Sequence, residues 1–75
     1  MQRYANRSGH SGVVAYELGA GSITVTFTGG ERYLYTADST GADHIARMRE
    51  LAREGQGLAT YISQHVRECY ARKLA

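Results

Sequence analysis

The 75-residue chain has no proline and no tryptophan, and its one cysteine is Cys69. A single cysteine excludes both a disulfide within the chain and a zinc site built from several cysteines. The sequence also has no apolar run of membrane-spanning length and no charged-then-apolar leader. These absences predict a cytoplasmic protein with no membrane partner.

The chain has only a small excess of one charge. Nine basic and seven acidic residues give a formal net charge of +2, and Arg3 and Arg7 account for that excess. A domain that binds nucleic acid through its overall field is usually more basic. The charge balance therefore neither supports nor excludes a nucleic-acid partner.

The first twelve residues show no hydrophobic period. Residues 1–12 (MQRYANRSGHSG) are polar and rich in glycine and serine, which is typical of a flexible segment. We expect residues 1–12 to form a flexible arm and residues 13–75 to form a single domain. Deletion of residues 1–7 should then leave thermal stability nearly unchanged.

The next part of the chain alternates as β-strands do. The apolar positions of residues 13–18, 22–28 and 32–36 recur with a period of two, and glycines separate the three segments. Alternation with β-branched and aromatic residues is the usual strand pattern. The sequence predicts a three-stranded antiparallel meander over about 13–18, 22–28 and 32–36.

The remaining residues have helical periodicity. We predict a first helix over about 41–54, with Thr40 and Asp43 as its capping box and Gly55 as a left-handed C-cap. A second helix is predicted over about 58–72, because seven residues fall on one helical stripe. These are Leu58, Tyr61, Ile62, His65, Val66, Cys69 and Tyr70. The order βββαα predicts an α+β domain with both helices on one face of the sheet.

Tyr33 and Tyr35 raise the question of which face they occupy. They are either platforms for nucleic-acid bases or core aromatics with hydroxyls at a wet rim. A three-residue hairpin loop with a bulge would pair Phe27 with Tyr33 and Val25 with Tyr35, and would gather the apolar residues on one face. A slip of one residue would move every side chain to the opposite face and mix apolar with polar residues. The register that separates them favours a core position for both tyrosines.

The strand–turn–strand with FTGGERYLY resembles the KTSC domain family. That family is a small module found free-standing in bacteria and phages and at the C-terminus of some lysyl-tRNA synthetases. Its Tyr-x-Tyr signature after a hairpin maps onto Tyr33 and Tyr35, and the resemblance covers about residues 8–71. It implies a sheet followed by a helical half, no established activity, and a proposed role in RNA binding.

Few residues suggest catalysis. His65 and Cys69 are four residues apart on the second predicted helix, as a thiolate–imidazole pair requires. No orienting group accompanies them, and His44 lies at the start of the other predicted helix. We therefore predict no enzyme activity, catalytic residue, metal, cofactor or small-molecule substrate, and a buried, slowly reacting Cys69.

Two functions of different classes remain open. The first is RNA binding, with basic residues on phosphates and a tyrosine or arginine stacked on a base. The second is a protein-interaction module or homodimer that uses the open sheet face or an edge. The candidate nucleic-acid contacts are Arg3, Arg7, Arg32, Tyr33, Tyr35, Arg67, Arg72 and Lys73.

Overall fold

The computed structural model describes residues 2–7, 9 and 12–75. This part of the chain is α+β, with a five-stranded antiparallel sheet whose strands are neighbours in chain order. The strands are β1 (Gln2–Arg3), β2 (Val13–Gly19), β3 (Ser22–Phe27), β4 (Arg32–Thr36) and β5 (Arg72–Lys73). The three predicted strands correspond to β2, β3 and β4. The predicted number of three is wrong, because β1 and β5 extend the sheet at its two edges.

The helices follow β4 along the chain. A short α1 (Ala37–Thr40) precedes the longer α2 (Ala42–Glu54), and α3 (Leu58–Tyr61) continues into a π-helical segment, Ile62–Val66. None of the described helices has the length and apolar character needed to cross a bilayer.

The predicted first helix, over about 41–54, corresponds to α2, but the short helix α1 before it was not predicted and the capping differs. Thr36 and Ser39 form the capping box, at the start of α1, whereas Thr40 and Asp43 do not form one. Gly41 ends α1 and begins α2 without a side-chain cap. The Thr40 hydroxyl instead donates to the carbonyl of Cys69 at 2.7 Å. The predicted left-handed C-cap at Gly55 is confirmed, with φ 77° and its N–H donating to Leu51.

The core lies between the sheet and the helices. Ile45 and Met48 of α2 and Val66 of the π-helical segment bury their side chains in one cluster with residues from the strands. The strand and N-terminal members of this cluster are Tyr4, Val13, Tyr16, Ile23, Val25 and Tyr35. Burial of these apolar side chains is the main force that holds the two layers together.

The predicted hairpin register is wrong, but the predicted face is correct. In the structure Val25 pairs with Tyr33 and Ile23 pairs with Tyr35. Phe27 donates its N–H to the carbonyl of Glu31 and accepts from the N–H of Gly30, so the loop consists of residues 28–30. Gly30, with φ 91°, is the bulge residue, as the predicted three-residue loop requires. This register differs by two residues from the predicted one, and a shift of two keeps every side chain on its face. Tyr35 is only 1% exposed.

The N-terminal residues are part of the packed structure. Gln2 and Arg3 pair with Tyr16 and Ala15, and Tyr4 is only 3% exposed. The Tyr4 hydroxyl accepts a hydrogen bond from the N–H of Leu58 at 3.2 Å, which satisfies a free amide at the start of α3. The prediction of a flexible arm is therefore wrong for residues 2–7. The rest of the predicted arm lies largely outside the described residues.

The second helix is shorter than the predicted 58–72. Helical structure ends at Val66, and a turn follows in which the N–H of Cys69 donates to the carbonyl of Val66. The chain then pairs with β4, where the carbonyls of Leu34 and Arg32 accept from Ala71 and Leu74 at 2.7 Å each. A helix through residue 72 would leave this edge of β4 without these partners.

Candidate nucleic-acid interface

An aromatic groove lies where the end of the sheet meets the π-helical segment. Its volume is about 470 Å³, within the range of small-ligand pockets, and it is open to solvent. The ring centroids of Phe27 and Tyr33 are 5.8 Å apart, and those of Tyr33 and Tyr70 are 4.8 Å apart. Tyr70 also lies 6.3 Å from Tyr35 in an edge-on arrangement. Four aromatic rings thus form one continuous cluster, and they come from three separate segments of the sequence.

The C-terminal strand brings Tyr70 to this surface. Lys73 pairs with Tyr33 across β5 and β4, and Arg72 pairs with Leu34. This pairing fixes the direction of the tail and leaves Tyr70 just before the strand, 37% exposed, against the ring of Tyr33. An aromatic ring that is supported from below and open to solvent is the arrangement on which a base can stack.

Cations accompany the aromatic rings. The Nζ of Lys73 lies 5.8 Å from the centroid of the Tyr33 ring, within cation–π range. Arg67 also lines the groove, beside Glu68. The groove therefore combines aromatic side chains with one basic and one acidic residue, and Lys73 lies against the ring of Tyr33.

Tyr35 forms the buried floor of the groove. Burial raises the pKa of its phenol from 10.0 to about 12, and the neighbouring Tyr33, Tyr70 and Cys69 add to that rise. The hydroxyl consequently remains protonated over the physiological range. Tyr35 therefore supports the neighbouring rings as an uncharged, buried aromatic group.

Three of the candidate arginines lie on the open face of the sheet, which points away from the helices. Arg3, Ala15, Thr26 and Arg32 are successive partners across β1 to β4. Side chains of directly paired residues project from the same face, so this row faces away from the core. Arg72 pairs with Leu34 on that face too. Arg3 and Arg32 are three strands apart, about 14 Å at the usual strand spacing.

Arg7 has a structural role instead. Its Nε donates to the carbonyl of Glu54 at 2.7 Å, and its backbone N–H donates to Gly55 at the same distance. These bonds satisfy carbonyls at the C-terminal end of α2. Of the eight candidate contacts, Tyr33, Tyr35 and Arg67 line the groove, and Lys73 lies against the ring of Tyr33. Arg3, Arg32 and Arg72 share the open face.

Cys69 is exposed, so the prediction of a buried thiol is wrong. The helix ends before Cys69, and the residue therefore has no place on the apolar stripe that ends with Val66. The same break removes the helical spacing that was the reason to consider His65 and Cys69 together.

Sequence reasoning missed three side chains. Tyr70 was assigned to the stripe of the second predicted helix, and Tyr4 was assigned to the flexible arm. Only their tertiary contacts show the positions of the two side chains. Arg49 donates from Nη1 to the carbonyls of Gly19 and Ser22, at 2.6 and 3.3 Å, and so fastens α2 to the β2–β3 turn. On the surface of α2, Arg47 and Glu50 form a weak ion pair at 3.9 Å.

Within residues 2–7, 9 and 12–75, no three His, Cys, Asp or Glu side chains come together as a metal cage. Comparison of the chain with protein-family models, with curated proteins and with solved structures gives no match.

Proposed function

We propose that this protein is a non-enzymatic module that binds single-stranded RNA in the aromatic groove. The observation that carries the proposal is the exposed ring of Tyr70 on Tyr33, with Lys73 over the same Tyr33 ring. Base stacking on such a ring contributes about 1–3 kcal/mol per base and is tolerant of sequence. The resemblance of the Tyr33–Tyr35 motif to the KTSC family is in keeping with this proposal.

The charge of the site determines how strongly binding should depend on salt. Lys73 and Arg67 can each contact a phosphate, and Glu68 opposes them. Two phosphate contacts predict a shallow salt dependence, a slope of about −1.4 in log affinity against log salt for a single strand. We therefore expect modest affinity that depends more on stacking than on charge.

The alternative is a protein partner or self-association. The open sheet face carries half-buried Ala15 and Leu34 beside Val14, which is 39% exposed. Its edge strands are only two residues long and include Arg3, Arg72 and Lys73, a composition that opposes strand addition. Association of this kind would use the open face and would persist at high salt.

Fluorescence anisotropy with a labelled random-sequence single-stranded RNA, at two salt concentrations, tests the proposal. Tyr70→Ala should weaken binding about tenfold and leave the salt slope unchanged, because it removes stacking and no charge. Lys73→Gln should reduce the slope by about 0.7. Arg3→Gln is the matched control on the opposite edge and should change neither.

The same experiment also defines the result that would reject the RNA proposal. If the unmodified protein does not bind RNA at low salt, the RNA proposal is wrong. Sedimentation in parallel then decides whether the chain self-associates. A dimer that persists at high salt would support the interaction module.

A further inference from the structure

Two histidines and a tyrosine from different elements form a surface cluster outside the aromatic groove. His44 lies in the first turn of α2, Tyr61 ends α3 and His65 lies in the π-helical segment. The ring centroids of His44 and His65 are 6.0 Å apart. None of the three residues lines the groove.

The separation of the two imidazoles is close to that of two ligands of one metal ion. A Zn–N bond is about 2.1 Å, and with a ring radius of about 1.1 Å the metal lies about 3.2 Å from each ring centre. Two rings on one ion are therefore at most about 6.4 Å apart, and about 5.2 Å apart at a tetrahedral angle. The observed 6.0 Å is within the upper limit and about 0.8 Å longer than the tetrahedral separation, so the two rings share an ion after they approach by about that distance.

Tyr61 holds both rings. Its hydroxyl oxygen is 2.6 Å from Nδ1 of His44, and its ring centroid is 4.5 Å from that of His65. When Nδ1–H of His44 donates to the phenol, Nε2 keeps its lone pair and is free to bind. Histidine ligands of metals are usually oriented by such a hydrogen bond from the other ring nitrogen.

Tyr61 and His65 lie four residues apart where α3 continues into the π-helical segment. That spacing makes two side chains neighbours on a helix surface. His65 is exposed and His44 is partly so, which leaves an entry path for an ion. Segments of this kind are frequent at functional sites.

We infer that His44 and His65 form a binding site for a divalent first-row transition-metal ion, with Tyr61 orienting both rings and water completing the coordination. Imidazole nitrogen suits Ni²⁺, Cu²⁺ and Zn²⁺, and two protein ligands give a modest, exchangeable site rather than a structural one. The site is independent of the proposed RNA groove.

Calorimetric titration of the full chain with Ni²⁺ tests this inference. One ion should bind per chain, and His44→Ala and His65→Ala should each weaken the affinity at least tenfold. Tyr61→Phe keeps the ring but loses the hydroxyl, and should weaken it up to about tenfold. His10→Ala is a matched control, since it removes a histidine outside the described residues, and Cys69→Ala controls for the exposed thiol; neither should matter.

A second readout locates the ion directly. Substoichiometric Cu²⁺ should broaden the imidazole proton signals of His44 and His65 together in the NMR spectrum. The inference is overturned if Ni²⁺ does not bind at millimolar concentration, if neither histidine variant changes the affinity, if either control weakens it as much, or if only one imidazole broadens.

Discussion

The two ends of the chain add similar strands to opposite edges of the sheet, but they place their tyrosines differently. Tyr4 follows β1, is 3% exposed and accepts a hydrogen bond from Leu58. Tyr70 precedes β5, is 37% exposed and rests on the ring of Tyr33. The N-terminal edge therefore stabilises the core, whereas the C-terminal edge presents aromatic surface to solvent.

The basic residues at the two ends differ in the same way. The Arg7 guanidinium donates to the carbonyl of Glu54 and fastens the N-terminal segment to the end of α2. Lys73 instead keeps its ammonium group over the ring of Tyr33, one of the residues that line the groove. Similar residue types thus contribute to packing at one edge and to the proposed binding surface at the other.

The largest effect is expected at the N-terminal edge. Tyr4→Ala should lower the free energy of unfolding by about 3 kcal/mol, because it removes a buried aromatic ring. Urea denaturation followed by circular dichroism measures the change. Tyr4→Phe is the control and should cost only about 1 kcal/mol, the value of one hydrogen bond. A loss below about 1 kcal/mol for Tyr4→Ala would mean that the segment is detached in solution.

A pH titration examines whether the C-terminal edge also covers the core. The pKa of Tyr35 is raised to about 12, so the folded state holds this proton more tightly than the unfolded state. The resulting stability is fully present below pH 10 and is lost as the pH rises from 10 to 12. It amounts to about 2–3 kcal/mol.

Tyr35→Phe provides the comparison for that titration. The difference in unfolding free energy between the unmodified protein and Tyr35→Phe should fall across pH 10 to 12. A constant difference would show that the phenol is as accessible in the folded protein as in the unfolded one.

The junction between the N-terminal segment and α2 gives a smaller effect. Gly55 has φ 77°, and an added Cβ would collide with the Cβ of Ala5. Gly55→Ala should therefore destabilise the fold by about 2 kcal/mol. Gly57→Ala, at φ 82° with its nearest neighbour Leu51 at 3.5 Å, should cost about 1 kcal/mol, since it adds backbone strain without the collision. Equal costs measured by thermal denaturation would mean that Ala5 does not pack against Gly55.

The smallest effect on stability is expected at the C-terminal edge. Tyr70→Ala should change the free energy of unfolding by less than about 1 kcal/mol, because the ring is already substantially exposed. The same urea experiment measures it. A loss as large as that of Tyr4→Ala would remove the distinction between the two edges.

The central part of the fold was predictable because its patterns are local. Alternation over residues 22–28 identified a strand and placed Tyr33 and Tyr35 on the core face, even though the register was off by two. Gly55 was recognised as the end of a helix. Burial of one sheet face depends only on the parity of positions, so these predictions tolerate small errors of register.

The two edges were not predictable in the same way. A strand of two residues, such as Gln2–Arg3 or Arg72–Lys73, is too short to show a period. The predicted helical stripe included Cys69 and Tyr70. In the structure, the chain that follows Tyr70 forms backbone hydrogen bonds with the edge of β4 instead. His44 and His65 belong to separate helical segments, and only tertiary packing brings their rings together.

The most direct test of the division between the two edges is an NMR titration of ¹⁵N-labelled protein with a random-sequence single-stranded RNA hexamer. The account predicts that signals of Tyr33, Arg67, Tyr70 and Lys73 shift together and saturate, while those of Arg3, Tyr4 and Arg7 do not move. Shifts confined to Arg3, Arg32 and Arg72 on the open face, or no shifts at low salt, would contradict it.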